Sequence, residues 1–279
     1  MITFNKLGEH GRLGNQLFQY CLILSVAKKL KLNFGVPYKN KSNDDYKNFC
    51  LDEGFQITAQ DSSNHIPKYK FIEKKWQCCS FDESVFGVQD NTDFTGAFQS
   101  EKYFKEFEKE IRKEFRFKLE IIQKSNEIIS EFKRPLAAIS IRRGDYLLPK
   151  FKKTHFACDL NYFFKCLKKI PEETFKLIIT DDIEWAKKKF SKIKNYKILD
   201  QNLDNPQNKF IVLRIMSMCE YHIISNSSFC WWGAWLCENK NKKIFAPKNW
   251  FGQLWPRNSW NDIYCKNWNI IDNEFRKFL

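Results

Sequence analysis

The chain has 279 residues, of which 43% are hydrophobic and 16% aromatic, and a formal charge of +14. That content excludes a disordered chain, and no run approaches the roughly 20 apolar residues of a membrane-spanning helix. The length suits one large or two modest domains, and the charge fits nucleic acid, an anionic membrane surface, a phosphorylated small molecule or simply a solvated lysine coat.

In chain order, residues 2–7 predict a strand, residues 8–15 a glycine-punctuated loop, and residues 16–32 a long apolar helix with a basic end. Residues 34–37 read as the next strand. Residues 38–63 and 76–93 are polar and aromatic without a clear period, and residues 102–117 and 119–132 are charged and helical. A boundary is expected at residues 133–135, dividing the chain into domains 1–133 and 134–279. Beyond it, strand candidates at 136–141, 175–180, 196–199, 221–225 and 243–246 alternate with helix candidates at 159–170, 183–190, 207–219 and 229–239. Such alternation predicts an α/β class built of βαβ units around a parallel sheet. Ligands of these sheets bind beyond the carboxyl ends of the strands.

The ten Cys are scattered without a Cys-x-x-Cys pair, and there are four His. No zinc cluster is expected; the Cys read as small buried hydrophobes of a reduced compartment. The first residues lack a basic region followed by an apolar one, so no signal peptide is read and a cytoplasmic address is expected.

Four stretches carry chemistry. Gly8–Gln16 (GEHGRLGNQ) places a glycine-rich turn between a strand and a helix, where backbone N–H groups approach an anion; it matches neither a dinucleotide fingerprint nor a P-loop. Arg142-Arg143-Gly144-Asp145-Tyr146 follows a strand end, so one arginine can fork onto a phosphate while the other pairs with an acid. Asp145 there suits a general base or an arginine orienter. Thr180-Asp181-Asp182 ends another strand and suits ribose or base edges, or a cap for the next helix. No Asp-x-Asp occurs. Ser225-Asn226-Ser227-Ser228-Phe229 leads from a strand into a helix, offering hydroxyls and helix N–H groups to an anion. Trp231, Trp232 and Trp235 behind it have the spacing of a core face, and the sequon at Asn226 is expected to stay idle. Together these turns suit a nucleoside diphosphate ligand.

The same residues resemble the α-1,2-fucosyltransferase family, glycosyltransferase family 11. Gly11–Tyr20 (GRLGNQLFQY), Gly96–Phe104 (GAFQSEKYF), Arg142–Tyr146 (RRGDY), Thr180–Trp185 (TDDIEW), Ser225–Leu236 and Phe245–Trp250 (FAPKNW) are similar to its motifs, in order. The resemblance implies a GT-B fold: two Rossmann-like domains facing a central cleft, the N-terminal on the acceptor side and the C-terminal binding the GDP-sugar. It implies inverting transfer of L-fucose from GDP-β-L-fucose to the 2-hydroxyl of a galactoside, with no metal and no cofactor beyond the donor. Carried over by position, Arg142 binds the diphosphate with Arg143 in support. Asp181 or Asp182 faces the guanosine, and Ser227, Ser228 and Phe229 line the nucleotide pocket. Arg12, Gly14, Asn15 and Gln16 lie near the fucose and diphosphate. The catalytic set is Arg142, Asp145 and Asn15, with Asp145 the first candidate base and Glu9 and His10 the others. One position departs from the family pattern: Ser140 stands where the arginine motif usually has a His, and a serine does not ionise near neutral pH.

The implied acceptor is a galactose-containing glycan or lipid-linked oligosaccharide, with peripheral contact at the inner membrane face and no nucleic acid. The rival readings are another GDP-sugar as donor, a GDP-fucose binder without turnover, and a basic nucleic-acid-binding protein.

Overall fold

The computed structural model describes residues 1–9, 11–38, 49–75, 77–151, 153–200 and 208–273. The chain divides into two compact units, Met1–Lys118 with Pro256–Cys265, and Leu119–Trp255 with the chain from Lys266 on.

The first unit holds β1 (Ile2–Thr3), α1 (Leu13–Leu30), β2 (Phe34–Val36), α2 (Leu51–Gly54), β3 (Gln60–Asp61), β4 (Tyr69–Ile72), β5 (Thr92–Thr95) and α3 (Glu108–Glu114). Its sheet has the order β3-β2-β1-β5-β4, every pairing parallel. Helix α1 is apolar on nearly all sides and is buried from Leu13 to Ala27 apart from Asn15, as a helix without a polar face must be. It ends at Lys31 in the left-handed conformation (φ 55°), with Lys28 and Lys29 in its last turn where the helix dipole favours cations. The helix starts at Leu13 instead of residue 16, and the first strand closes at Thr3 instead of residue 7. Strand β3 lies in a segment read as periodless, of which residues 39–48 fall outside the described residues, as does Trp76. Residues 102–117 form two short 3-10 turns before α3.

The second unit holds α4 (Leu119–Ser130), β6 (Leu136–Ile141), α5 (Leu160–Leu167), β7 (Phe175–Thr180), α6 (Ile183–Phe190), β8 (Tyr196–Asp200), α7 (Asn208–Ser217), β9 (Tyr221–Ile224), α8 (Ser228–Trp235), β10 (Lys243–Pro247) and β11 (Asn269–Ile271). The sheet order is β11-β10-β9-β6-β7-β8, again all parallel. Strand β6 is buried along its whole length, as its continuous apolar run requires of a strand covered on both faces. Ala137, Ile139 and Ile141 pack with Tyr162, Phe163, Cys166, Ala186 and Phe190 of α5 and α6. Ser140 is buried, its hydroxyl 3.9 Å from the Met216 sulfur of α7. The units divide at residue 118 and not at 133–135, because α4 packs against α7 and so belongs to the second sheet.

Among the described residues no helix is long and apolar enough to cross a membrane. All ten Cys are free, and eight of them are buried.

Candidate active site

The chain runs outward from β6 to β7 and β8, then crosses back to β9, β10 and β11 on the other side. The strand order therefore reverses between β6 and β9. A crevice opens outside the carboxyl ends of the strands at such a reversal. The segments that leave these ends are Arg142–Tyr146 after β6, Asp181-Asp182 after β7 and Ser225–Ser228 after β9. Three motifs about 40 residues apart in the chain are neighbours because β6 pairs with both β7 and β9.

Arg142 is the centre of the group. Its Nη1 donates to Asp181 Oδ2 at 2.6 Å and its Nη2 to Asp145 Oδ1 at 2.7 Å. The Asp181 carboxylate is only 2% exposed and the Arg142 side chain 14%. Burial works against the Arg142 charge, but Asp181 and Asp145 outweigh it and hold its pKa above the usual arginine value. Asp181 Oδ1 also accepts the Arg143 backbone N–H at 2.8 Å. Gly144 makes this approach sterically feasible, since a Cβ there would lie 2.7 Å from Asp181 Oδ2. Arg143 turns the other way: its Nε donates to Asp182 Oδ2 at 2.9 Å, and its guanidinium carbon lies 4.0 Å from the centre of the Trp185 ring. Asp182 caps α6 by accepting the Trp185 N–H at 3.2 Å.

The partners of the two acids after β7 are these. Asp181 is committed to Arg142 and the Arg143 backbone, and Asp182 to Arg143 and the α6 cap. Asp145 accepts from Arg142.

Across the strand-order reversal, Ser227, Ser228 and Phe229 are half-buried at the start of α8. Ser227 is the N-cap residue and makes no side-chain cap bond. Beneath them Asn226 is 2% exposed; its Nδ2 donates to Phe156 O at 3.0 Å and to Trp250 O at 2.9 Å. This burial takes Asn226 out of reach as a glycan attachment point. Tyr146 bridges the two sides, donating its hydroxyl to Asn226 O at 3.0 Å while its ring centre lies 5.6 Å from the Arg142 guanidinium carbon. Trp231, Trp232 and Trp235 of α8 are buried as core.

The structure adds His155, which the sequence pattern did not single out. Its ring centre is 5.1 Å from that of Tyr146, and its Nδ1 lies 3.1 Å from Thr154 Oγ1. Burial pushes its pKa below the usual value; Asp145 pulls it up and Arg142 pushes it down. An ionisable ring thus stands within electrostatic reach of the Arg142–Asp145 pair, while Ser140 points into the core. A lone His nine residues beyond an arginine motif carries no sequence signal; the fold brings its ring back against Tyr146. Asn226, visible in the sequence as an idle sequon, is the polar hub under the site.

The first unit has its own reversal of strand order, between β1 and β5. The glycine-rich loop follows β1, and the Gly96–Phe104 segment follows β5. Asn15 Oδ1 accepts from Gln99 Nε2 at 2.9 Å, and Gln19 Nε2 donates to Gly96 O at 2.8 Å. Arg12 is exposed and Asn15 half-buried, whereas Gly14 and Gln16 are buried. Gln16 Oε1 accepts the Cys50 N–H at 3.0 Å. Glu9 is half-buried, and His10 lies outside the described residues.

A family model described as glycosyl transferase family 11 matches residues 2–272. An alpha-1,2-colitosyltransferase of Escherichia coli is 29% identical over 273 residues, covering 86% of this chain and 90% of that protein. The O-antigen biosynthesis glycosyltransferase WbnK of Escherichia coli is 24% identical, covering 86% and 93%. Among solved structures, the NodZ alpha-1,6-fucosyltransferase soaked with GDP-fucose superposes with a TM-score of 0.57 at 12% identity, over 86% of this chain and 96% of that one. The last likeness is one of fold.

Proposed function

The chain belongs to glycosyl transferase family 11, and from that premise we propose that it moves L-fucose from GDP-β-L-fucose to the 2-hydroxyl of a galactoside, with inversion and without an essential metal. The observation that carries the reading is Arg142, held by Asp181 and Asp145 at the strand-order reversal of the second sheet. We read the two parallel-sheet units as the Rossmann-like halves of a GT-B enzyme, the second holding the donor.

In this reading Arg142 and the first-turn N–H groups of α8 stabilise the charge that develops on the departing GDP. Asp181 and Asp145 orient Arg142, and Arg143 supports it from Asp182 and Trp185. Ser227, Ser228 and Phe229 line the nucleotide pocket. On the first unit, Arg12 and Asn15 are assigned to the transferred sugar, with Gly14 and Gln16 shaping the helix start beneath them. Two acids that hold arginines from below suit the anionic diphosphate better than a neutral base edge.

The proposed acceptor is a galactose-containing glycan or lipid-linked oligosaccharide. Leu147, Leu148 and Leu254 are exposed at 44%, 45% and 54%. Their loops are joined by the Leu254 N–H to Lys153 O bond at 3.0 Å, and Lys150 and Lys153 are exposed beside them. This basic, apolar patch supports peripheral contact with an anionic membrane surface.

The alpha-1,2-colitosyltransferase relative favours a second donor, GDP-colitose. Colitose is fucose without its 3-hydroxyl. A site built to hydrogen-bond that hydroxyl rejects the analogue strongly, whereas one without such partners accepts both. The experiment is a donor panel of GDP-fucose, GDP-colitose and GDP-mannose with a galactoside acceptor in excess EDTA. Preferential fucosyl transfer under those conditions is expected. Preference for GDP-colitose moves the donor assignment to the second reading, and turnover only with added divalent metal overturns metal independence.

A further inference from the structure

Glu73 follows β4 directly and takes no part in the roles assigned so far. Its two carboxylate oxygens accept consecutive backbone N–H groups, Ala97 on Oε2 and Phe98 on Oε1, both at 2.8 Å. Successive N–H groups in a turn form an anion-binding concavity, and here a side chain of the same unit fills it. The turn has two left-handed backbone positions, Gly96 at φ 158° and Phe98 at φ 49°. A Cβ on Gly96 would lie 2.4 Å from Glu73 Cβ, so the carboxylate reaches the turn only over a glycine. Phe98 is a bulky residue in a conformation that L side chains rarely adopt. Its buried ring is gripped by Phe4, Phe71, Phe94 and Tyr103, with centres 5.7–6.3 Å away. The next residue is Gln99, whose amide donates to Asn15.

We propose that Glu73 is a positioning residue for sugar transfer: its carboxylate fixes the Gly96–Phe98 turn and thereby delivers Gln99 to Asn15. This rests on the assignment of Asn15 to the transferred sugar. The chain of contacts is short and continuous, from Glu73 to the two N–H groups, to Gln99, to Asn15. The ionised form accepts both N–H groups fully, while protonation gives up acceptor strength on one oxygen. Burial pushes the carboxyl up to about 7 against the two N–H bonds, which pull it down. The titratable groups facing it are the Cys79 thiol and the Tyr103 hydroxyl, both pushed up by burial and hence neutral; Asp82 and Asp262 act on Tyr103 as well. The turn therefore changes its anchor across neutral pH.

The test pairs hydrogen exchange with kinetics on the full chain between pH 5.5 and 8.5. In the wild type, protection of the amides of residues 97–99 rises with pH around 7 after correction for intrinsic exchange, and kcat rises with the same midpoint. Glu73→Gln lowers kcat at pH 8 about tenfold, leaves the KM for the donor within twofold, and abolishes both the acid limb and the exchange midpoint. Gln99→Ala leaves the carboxylate in place, so the exchange midpoint persists while the kcat limb disappears; this variant stands in if Glu73→Gln does not fold. An acid limb unchanged in either variant overturns the proposal. If the wild type turns over no GDP-sugar, the transfer reading fails, and the exchange midpoint with its loss in Glu73→Gln still decides whether Glu73 anchors the turn.

Discussion

Replacement of Arg142 by Ala tests the centre of the site. Of its five N–H groups, one goes to Asp181 and one to Asp145; the remainder of the fork is what a diphosphate would meet. A charge-assisted hydrogen bond contributes about 1.5–3 kcal/mol, and 1.4 kcal/mol is tenfold in affinity. The Kd for GDP should therefore rise by roughly 10- to 150-fold in this variant. GDP at 100 times its wild-type Kd stabilises the protein by about 2.7 kcal/mol. The variant at the same concentration retains roughly 0.3–1.4 kcal/mol. For a unit of this size each kcal/mol moves Tm by about 2–4 °C, so a wild-type shift of about 5–10 °C shrinks to about 1–5 °C. Turnover falls further, by about 100- to 1,000-fold, since the same donors act on charge that develops in the transition state. Asp181 keeps the Arg143 N–H, so the variant loses only about 1–3 kcal/mol of stability and is assayed folded at 20 °C. The assays are differential scanning fluorimetry with GDP and transfer to a galactoside. Arg142→Lys is the control, because a point charge cannot span two acids on opposite sides; it should keep part of the GDP shift and little of the turnover. A wild-type GDP shift together with wild-type transfer in Arg142→Ala would refute the assignment.

Two further outcomes follow from the same unit. Gly144→Ala puts a methyl 2.7 Å from Asp181 Oδ2, which forces Asp181 off both arginines; overpacking of this kind costs about 1–3 kcal/mol, and turnover should drop at least tenfold, so unchanged stability and kinetics would show that Asp181 does not hold the pair. His222, fully buried in β9, is pushed down to about 3, chiefly by burial and then by Lys242. Its folded pKa lies below the unfolded value, so the unfolded chain binds the extra proton: the contribution is complete above about pH 6.5 and is lost as pH falls toward 3, at up to about 1.4 kcal/mol per pH unit. His222→Phe should remove that slope from urea unfolding followed by tryptophan fluorescence, and parallel pH curves for the two proteins would contradict it.

The inner strands of the second sheet were legible because they are buried on both faces. LAAISI and FKLIIT are continuous apolar runs, and the observed bounds of β6 and β7 equal the expected ones. The first sheet was not. Strand β4 is exposed at three of its four positions and β3 is exposed at both, so no burial pattern marks either. Helix α1 begins earlier than expected because Arg12 caps it without a side-chain bond, leaving no polar signal at its start. Helix α8 stops at Trp235, short of residue 239, where the Lys242 ammonium donates to the carbonyls of Ala234, Trp235 and Cys237. A side chain seven residues past the end of a helix is a tertiary cap, and periodicity does not contain it. The unit boundary was displaced for a similar reason: α4 is amphipathic whichever sheet it joins, and the packing on α7 decides.

The candidate site follows the same division between what local chemistry announces and what topology assembles. The double arginine and the acidic turn were visible as motifs, but their mutual roles needed the parallel pairing of β6 and β7. With that pairing, three carboxylates face two guanidiniums, so the group around Arg142 carries no net positive charge. The +14 of the chain is therefore not concentrated there; α6, for example, carries Lys187, Lys188 and Lys189 on its exposed face. Nucleic-acid binding draws its affinity from uncompensated cations that displace counterions along a backbone, and the arginines here are compensated and fixed in direction. A site of that kind selects for the geometry of its anion. Fixed N–H donors that are already desolvated and oriented need little reorganisation when a diphosphate arrives or when charge grows on its leaving oxygen, and that is the property a transferase requires of the residues that hold its donor.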